Sequence, residues 1–81
     1  MMKTDDSLVE EKFPIRSYGK GELAALYNPA VAQQTAVNLL NEWIRTAPGL
    51  EQRLLATGMV RTSRRYTPAQ VRLMVDVFGE P

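Results

Sequence analysis

Between residues 33 and 46 the chain reads QQTAVNLLNEWIRT, and its apolar side chains Ala36, Leu39, Leu40, Trp43 and Ile44 recur at i, i+3, i+4, i+7 and i+8. That recurrence follows the turn of an α-helix and gathers the five side chains on one stripe. A strand cannot present it on one face, because its side chains alternate from face to face. A helix with a single apolar stripe is marginal alone and must bury that stripe against other elements. This segment therefore sets the fold class, and the rest of the chain has to supply its packing partners.

The flanking sequence does so with more helices. Leu23, Leu26 and Tyr27 share a face in a helix over Lys20 to Tyr27. Asn28-Pro29 ends it, since proline cannot continue the hydrogen bonding, and Asn28 is placed to cap the next helical segment. Residues 29–34 leave room for one short helical turn. Beyond Pro48-Gly49 a further helix runs from Leu50 to Thr57, with Leu50, Leu54 and Leu55 inward and Gly58 as its left-handed closing residue. Thr67-Pro68-Ala69-Gln70 announces the last helix: Thr67 caps, Pro68 takes the first helical position, and Gln70 closes a capping box. Val71, Met74, Val75 and Phe78 form its apolar face.

Two segments fit no helical period. Residues 59–66, MVRTSRRY, read as a loop or a short β-arm. Phe13 and Ile15 alternate with Pro14 and Arg16 in a short extended lead-in, and Pro14 biases Phe13 away from helix. Residues 1–12 show no period and are expected to form a flexible, disordered tail. The expectation is an all-α domain of four helices over residues 13–81, helix-turn-helix-like in outline. Trp43 should be its central packing residue, and Trp43→Ala should cost roughly 3–5 kcal/mol if the ring is fully buried.

Composition removes several function classes. The chain has 81 residues, no cysteine and no histidine. It is one domain, without disulfides, thiolate metal sites or the commonest general base. Gly19-Lys20-Gly21 lacks the spacing of a phosphate loop. Ser7, Ser17 and Ser63 have no base to activate them. Glu22, Glu42 and Glu51 show no spacing that would pair carboxylates. No enzyme activity, cofactor, metal or small-molecule substrate is expected. No stretch approaches a membrane span, and MMKTDDSLVEEK lacks the pattern of a signal peptide, so a cytoplasmic location without membrane contact is expected.

What remains is binding. Ten basic and nine acidic residues give a net charge of +1, unevenly spread. Lys3 and Lys12 face Asp5, Asp6, Glu10 and Glu11 near the start, whereas Arg45, Arg53, Arg61, Arg64, Arg65 and Arg72 face only Glu51 and Asp76 over residues 44–79. All six of those cations are arginine, the better fork for phosphates and base edges.

A short helix carrying Glu22-Leu23-Ala24, a break and a longer amphipathic helix is the outline of a helix-turn-helix. The outward face of the longer helix would carry Gln34, Asn38, Asn41 and Arg45, side chains that read base edges in duplex DNA. Lys20, Arg61, Arg64, Arg65 and Arg72 would approach phosphates. The plainer reading is a solvated polar face and a solvated loop, with an arginine paired to an acidic neighbour. A second function reading is a protein-interaction module, self-associating or a small subunit of a larger assembly. It rests on the near-neutral charge and on Arg45 being the one basic residue of the longer helix, beside Glu42.

The strings IRSYGKGELAALYNP, then EWI and PGL in the middle, then TPAQV and FGEP, come in an order that resembles a family of short bacterial proteins carried as a domain of unknown function. The resemblance covers residues 13–81. It implies a small helical domain rather than an enzyme, and brings no established activity with it.

Overall fold

The computed structural model describes residues 13–81, so the expected tail over residues 1–12 lies outside the described residues. Four helices dominate: α1 (Lys20–Tyr27), α2 (Gln33–Thr46), α3 (Leu50–Ala56) and α4 (Pro68–Phe78). Two short strands join them, β1 (Tyr18–Gly19) and β2 (Arg65–Tyr66). The strands pair antiparallel, Tyr18 opposite Tyr66 and Gly19 opposite Arg65. The Lys20 amide adds a hydrogen bond to the Arg64 carbonyl at 2.9 Å.

Segment 59–66, expected as a loop or a short β-arm, is thus a loop that ends in the short strand β2. Residues 59–64 form turns and bends, and the strand after them pairs with the chain's lead-in some 48 residues upstream. Pairing of this kind fixes both tyrosines inward, because neighbouring strand residues point to opposite faces. Tyr18 and Tyr66 are accordingly buried while Arg65 faces outward.

Local sequence explains the helix ends. Glu22 accepts the Gly19 amide at 3.2 Å and the Arg16 guanidinium at 3.1 Å, fastening the lead-in to the first turn of α1. At α4 the capping box forms as its sequence predicts: the Thr67 hydroxyl accepts the Gln70 amide, and the Gln70 side chain accepts the Thr67 amide. Gln70 also donates to the Thr57 hydroxyl at 2.8 Å, which in turn donates to the Leu54 carbonyl at 2.6 Å. A buried amide with both ends satisfied thus ties α4 to the end of α3. Gly58 comes next with φ of 96°, the left-handed closure expected of it. Residues 29–30 form only a turn, without the short helical turn expected in segment 29–34, and α2 starts at Gln33, where Ala32 precedes it without a side-chain cap. Asn28 sits instead at the end of α1, its backbone amide on the Ala24 carbonyl.

The core runs through Tyr18, Leu23, Ala24, Ala36, Leu40, Ile44, Leu50, Leu54, Tyr66, Val71 and Met74. Helix α2 buries Ala36, Leu40 and Ile44, one row at spacings of four. Its stripe is rotated from the expected centre, so Trp43 is only partly buried and Leu39 is exposed. Leu26 and Leu55, expected inward, are exposed as well. Trp43 belongs to a satellite cluster with Tyr27 and Phe78, the three rings meeting edge-on at centroid distances of 5.6–6.0 Å. A second aromatic contact stacks Phe13 on Tyr18 at 5.0 Å, and the Tyr18 hydroxyl donates to the Pro14 carbonyl at 2.7 Å.

Candidate functional site

Burying Ala36, Leu40 and Ile44 turns the opposite side of α2 to solvent. Gln34, Asn38, Asn41 and Arg45 are all exposed there. Two of them are engaged with each other, the Gln34 amide donating to Asn38 at 3.1 Å. Arg45 forms an ion pair with Glu42, three residues earlier on the same helix. Both partners are more than half exposed, so the pair is weak and open to exchange.

Towards the C-terminal end of α2 an open hollow of about 200 Å³ separates α1, α2, α3 and the 59–64 loop. Lys20, Asn41, Arg45 and Arg61 line it, with Glu51 among them, over a floor of Ile44, Met59 and Tyr66. Four residues predicted from separate parts of the sequence are thus brought together. Arg61 pairs with Glu51 at 3.3 Å. Lys20 donates to the Arg61 carbonyl at 3.1 Å, and its ammonium lies 5.5 Å from the centre of the Tyr66 ring. Partial burial lowers the Lys20 pKa, because the charged form gives up hydration there. Burial raises the Tyr66 phenol to about 12, so it stays protonated well into the alkaline range.

The other predicted residues lie outside the hollow. Gln34 and Asn38 continue the outward face of α2 towards its start. Arg65 reaches the Ser17 hydroxyl at 3.2 Å, on the side of β1. Arg64 is exposed and holds Lys20 only through its backbone carbonyl. Arg72 is exposed on α4. Among the described residues, neither Arg64 nor Arg72 has an acidic partner within ion-pair distance.

The sequence gives no signal that Glu51, Met59 and Tyr66 line one hollow with these cations. The Glu42–Arg45 pair carried a signal, since residues three apart on a helix are neighbours. The Glu51–Arg61 pair carried none. Among the described residues no group of three or more acidic, histidine or cysteine side chains is placed to hold a metal, and no helix is long and apolar enough to cross a membrane.

These features define a small, mostly helical domain with one polar helix face and a cation-lined hollow at its end. Residues 14–81 match the family described as Domain of unknown function (DUF4248), and the chain belongs to that family. No significant match is found among curated proteins or among solved structures.

Proposed function

We propose that this domain is a non-catalytic DNA-binding or DNA-associated regulator, with α2 as the element presented to the duplex in a helix-turn-helix-like manner. One observation carries the reading. Helix α2 keeps Ala36, Leu40 and Ile44 in the core and leaves Gln34, Asn38, Asn41 and Arg45 exposed along one side, with Lys20 and Arg61 beside its C-terminal end. Amide and guanidinium side chains make paired hydrogen bonds to base edges, while flanking cations contact phosphates. The ion pairs of Arg45 and Arg61 do not oppose this strongly, because exposed pairs are worth about 0–1 kcal/mol and a phosphate can displace them.

The test is fluorescence anisotropy of a labelled mixed-sequence duplex at low and moderate salt. Binding that weakens steeply with salt, and a shallower salt dependence for the Arg64→Ala, Arg65→Ala double variant, support the proposal. No binding at about 50 mM salt and high micromolar protein removes it, given how strongly low salt favours phosphate contacts.

A second reading, a protein-interaction module, is favoured by the exposed Leu26, Val31, Leu39, Leu55, Val60 and Val77. Single exposed apolar residues are ordinary, and it is their number in so small a domain that supports the reading. Leu39 stands one turn from the partly buried Trp43 on α2. Concentration-dependent sedimentation tests self-association, and a monomer throughout the millimolar range counts against it.

A further inference from the structure

We infer that the hollow at the C-terminal end of α2 is a binding site for a phosphate group carried on a small planar or apolar body. The inference does not depend on α2 reading base edges. It rests on the carboxylates that the lining arginines pair with in this chain and on the donors that the walls leave unused.

Three cations line the hollow, Lys20, Arg45 and Arg61, with the Asn41 amide beside them. Two of them hold carboxylates of this chain: Arg61 holds Glu51 at 3.3 Å, and Arg45 holds Glu42. The cation set is therefore accessible to oxyanions. An incoming carboxylate would only replace one tethered carboxylate by another and gains little. A phosphate monoester brings about −1.5 to −2 charges and three strong acceptor oxygens, enough to draw on several of these donors together. Lys20 has no carboxylate partner among the described residues and spends one N–H on the Arg61 carbonyl, so it retains further donors.

Size and floor restrict the carrier. A volume of about 200 Å³ is below the range of drug-sized pockets, and because the hollow is open it takes a phosphate and the ring next to it while the rest of the carrier stays outside. The half-buried Met59 offers that ring apolar surface, and only the edges of the buried Ile44 and Tyr66 reach the hollow. The phosphate of a nucleic-acid backbone and the terminal phosphate of a free mononucleotide share this chemistry.

The experiment is a ¹H–¹⁵N titration of the full chain with inorganic phosphate and with deoxyadenosine 5′-monophosphate, at ionic strength matched with chloride. The expected result is saturable shifts for the mononucleotide at Lys20, Asn41, Arg45 and Arg61, with a Kd on the order of 1 mM. The Arg61 side chain is 72% exposed, so Arg61→Gln should fold normally while weakening binding about tenfold. Arg53→Gln removes the same charge from an exposed position on α3 outside the hollow and should leave binding unchanged. Shifts that fail to saturate by about 10 mM, or that R61Q and R53Q reduce equally, overturn the site. A short duplex added last separates the sources. If it displaces the mononucleotide, the hollow takes a backbone phosphate. If the mononucleotide stays bound, the hollow serves a free phosphorylated compound, and the phosphate site stands while the DNA reading loses these contacts.

Discussion

The phenol of Tyr27 donates a hydrogen bond to the Gly79 carbonyl at 2.5 Å, joining the end of α1 to the end of α4 across 52 residues. The same ring lies edge-on to Trp43 and Phe78. Tyr27→Phe keeps the ring contacts and removes only the hydroxyl. The bond is exposed and water can replace the donor, so the expected loss is about 1 kcal/mol in urea unfolding. A loss several times larger would mean that the C-terminal end of α4 depends on this bond to form.

Trp43 is bound into that cluster but only partly buried. Trp43→Ala should therefore fall short of the roughly 3–5 kcal/mol of a fully buried ring, at about 2 kcal/mol. Leu40→Ala, deep in the core, should cost more, about 3 kcal/mol. Urea midpoints for the two variants decide the order, and a larger loss at Trp43 would place the centre of the core at the aromatic cluster.

The reversal of these two residues shows what periodicity can and cannot specify. The spacing of apolar residues located α2 and α4, and Thr67-Pro68-Ala69-Gln70 located a cap, because both signals are local. Which of Leu39, Leu40 and Trp43 faces the centre depends on the rotation of α2 against α1, set by partners elsewhere in the chain. Leu26 and Leu55 were expected inward for the same reason, and both are exposed. The Tyr18–Tyr66 pairing is more remote still: two-residue strands have no period to detect, and their register rests on contacts between distant segments. In the candidate site the outward face of α2 was legible as the complement of its buried face. The hollow was not, because it is formed where α1, α2, α3 and the 59–64 loop meet.

Gly21 and Gly58 are expected to respond oppositely to alanine. A Cβ on Gly21 would lie 2.7 Å from the exposed Gln33 side chain, which is flexible and can swing aside. Helix α1 then carries a better helix former, and Gly21→Ala should stabilise by about 0.5 kcal/mol. Gly58 has open space around it but a φ of 96°, so Gly58→Ala should destabilise by about 1 kcal/mol through backbone strain alone. Thermal unfolding of both variants checks the signs. A destabilised Gly21→Ala would mean that Gln33 is held in place by its surroundings.

Glu42 and Glu51 occupy the guanidinium groups of Arg45 and Arg61. The double variant Glu42→Gln, Glu51→Gln keeps side-chain shape and frees both cations. Duplex affinity should rise severalfold, and the slope of log K against log salt should steepen by about one for each additional phosphate neutralised. Anisotropy over a salt series measures both. A higher affinity with an unchanged slope would mean that Arg45 and Arg61 do not touch phosphates.

Tyr66 makes stability sensitive to alkaline pH. Burial raises its phenol from an ordinary value of 10.0 to about 12. Between those values the unfolded chain has lost the proton and the folded chain keeps it, so stability is full below pH 10 and declines as pH rises towards 12. Tyr27 is raised in the same sense, by burial and by the nearby Glu80 carboxylate. Lys20 acts oppositely: its folded pKa lies below 10.5, so its charge penalty is relieved as pH rises towards that value. Above about pH 10.5 the tyrosines are left to dominate. Tyr66→Phe keeps the buried ring and abolishes that residue's share, so the wild-type stability relative to the variant should fall by about 1 kcal/mol between roughly pH 10.5 and 11.5. Urea unfolding of both proteins across this window is the measurement. Parallel curves would mean that Tyr66 ionises as readily in the folded state as in the unfolded one, which requires water to reach the floor of the hollow.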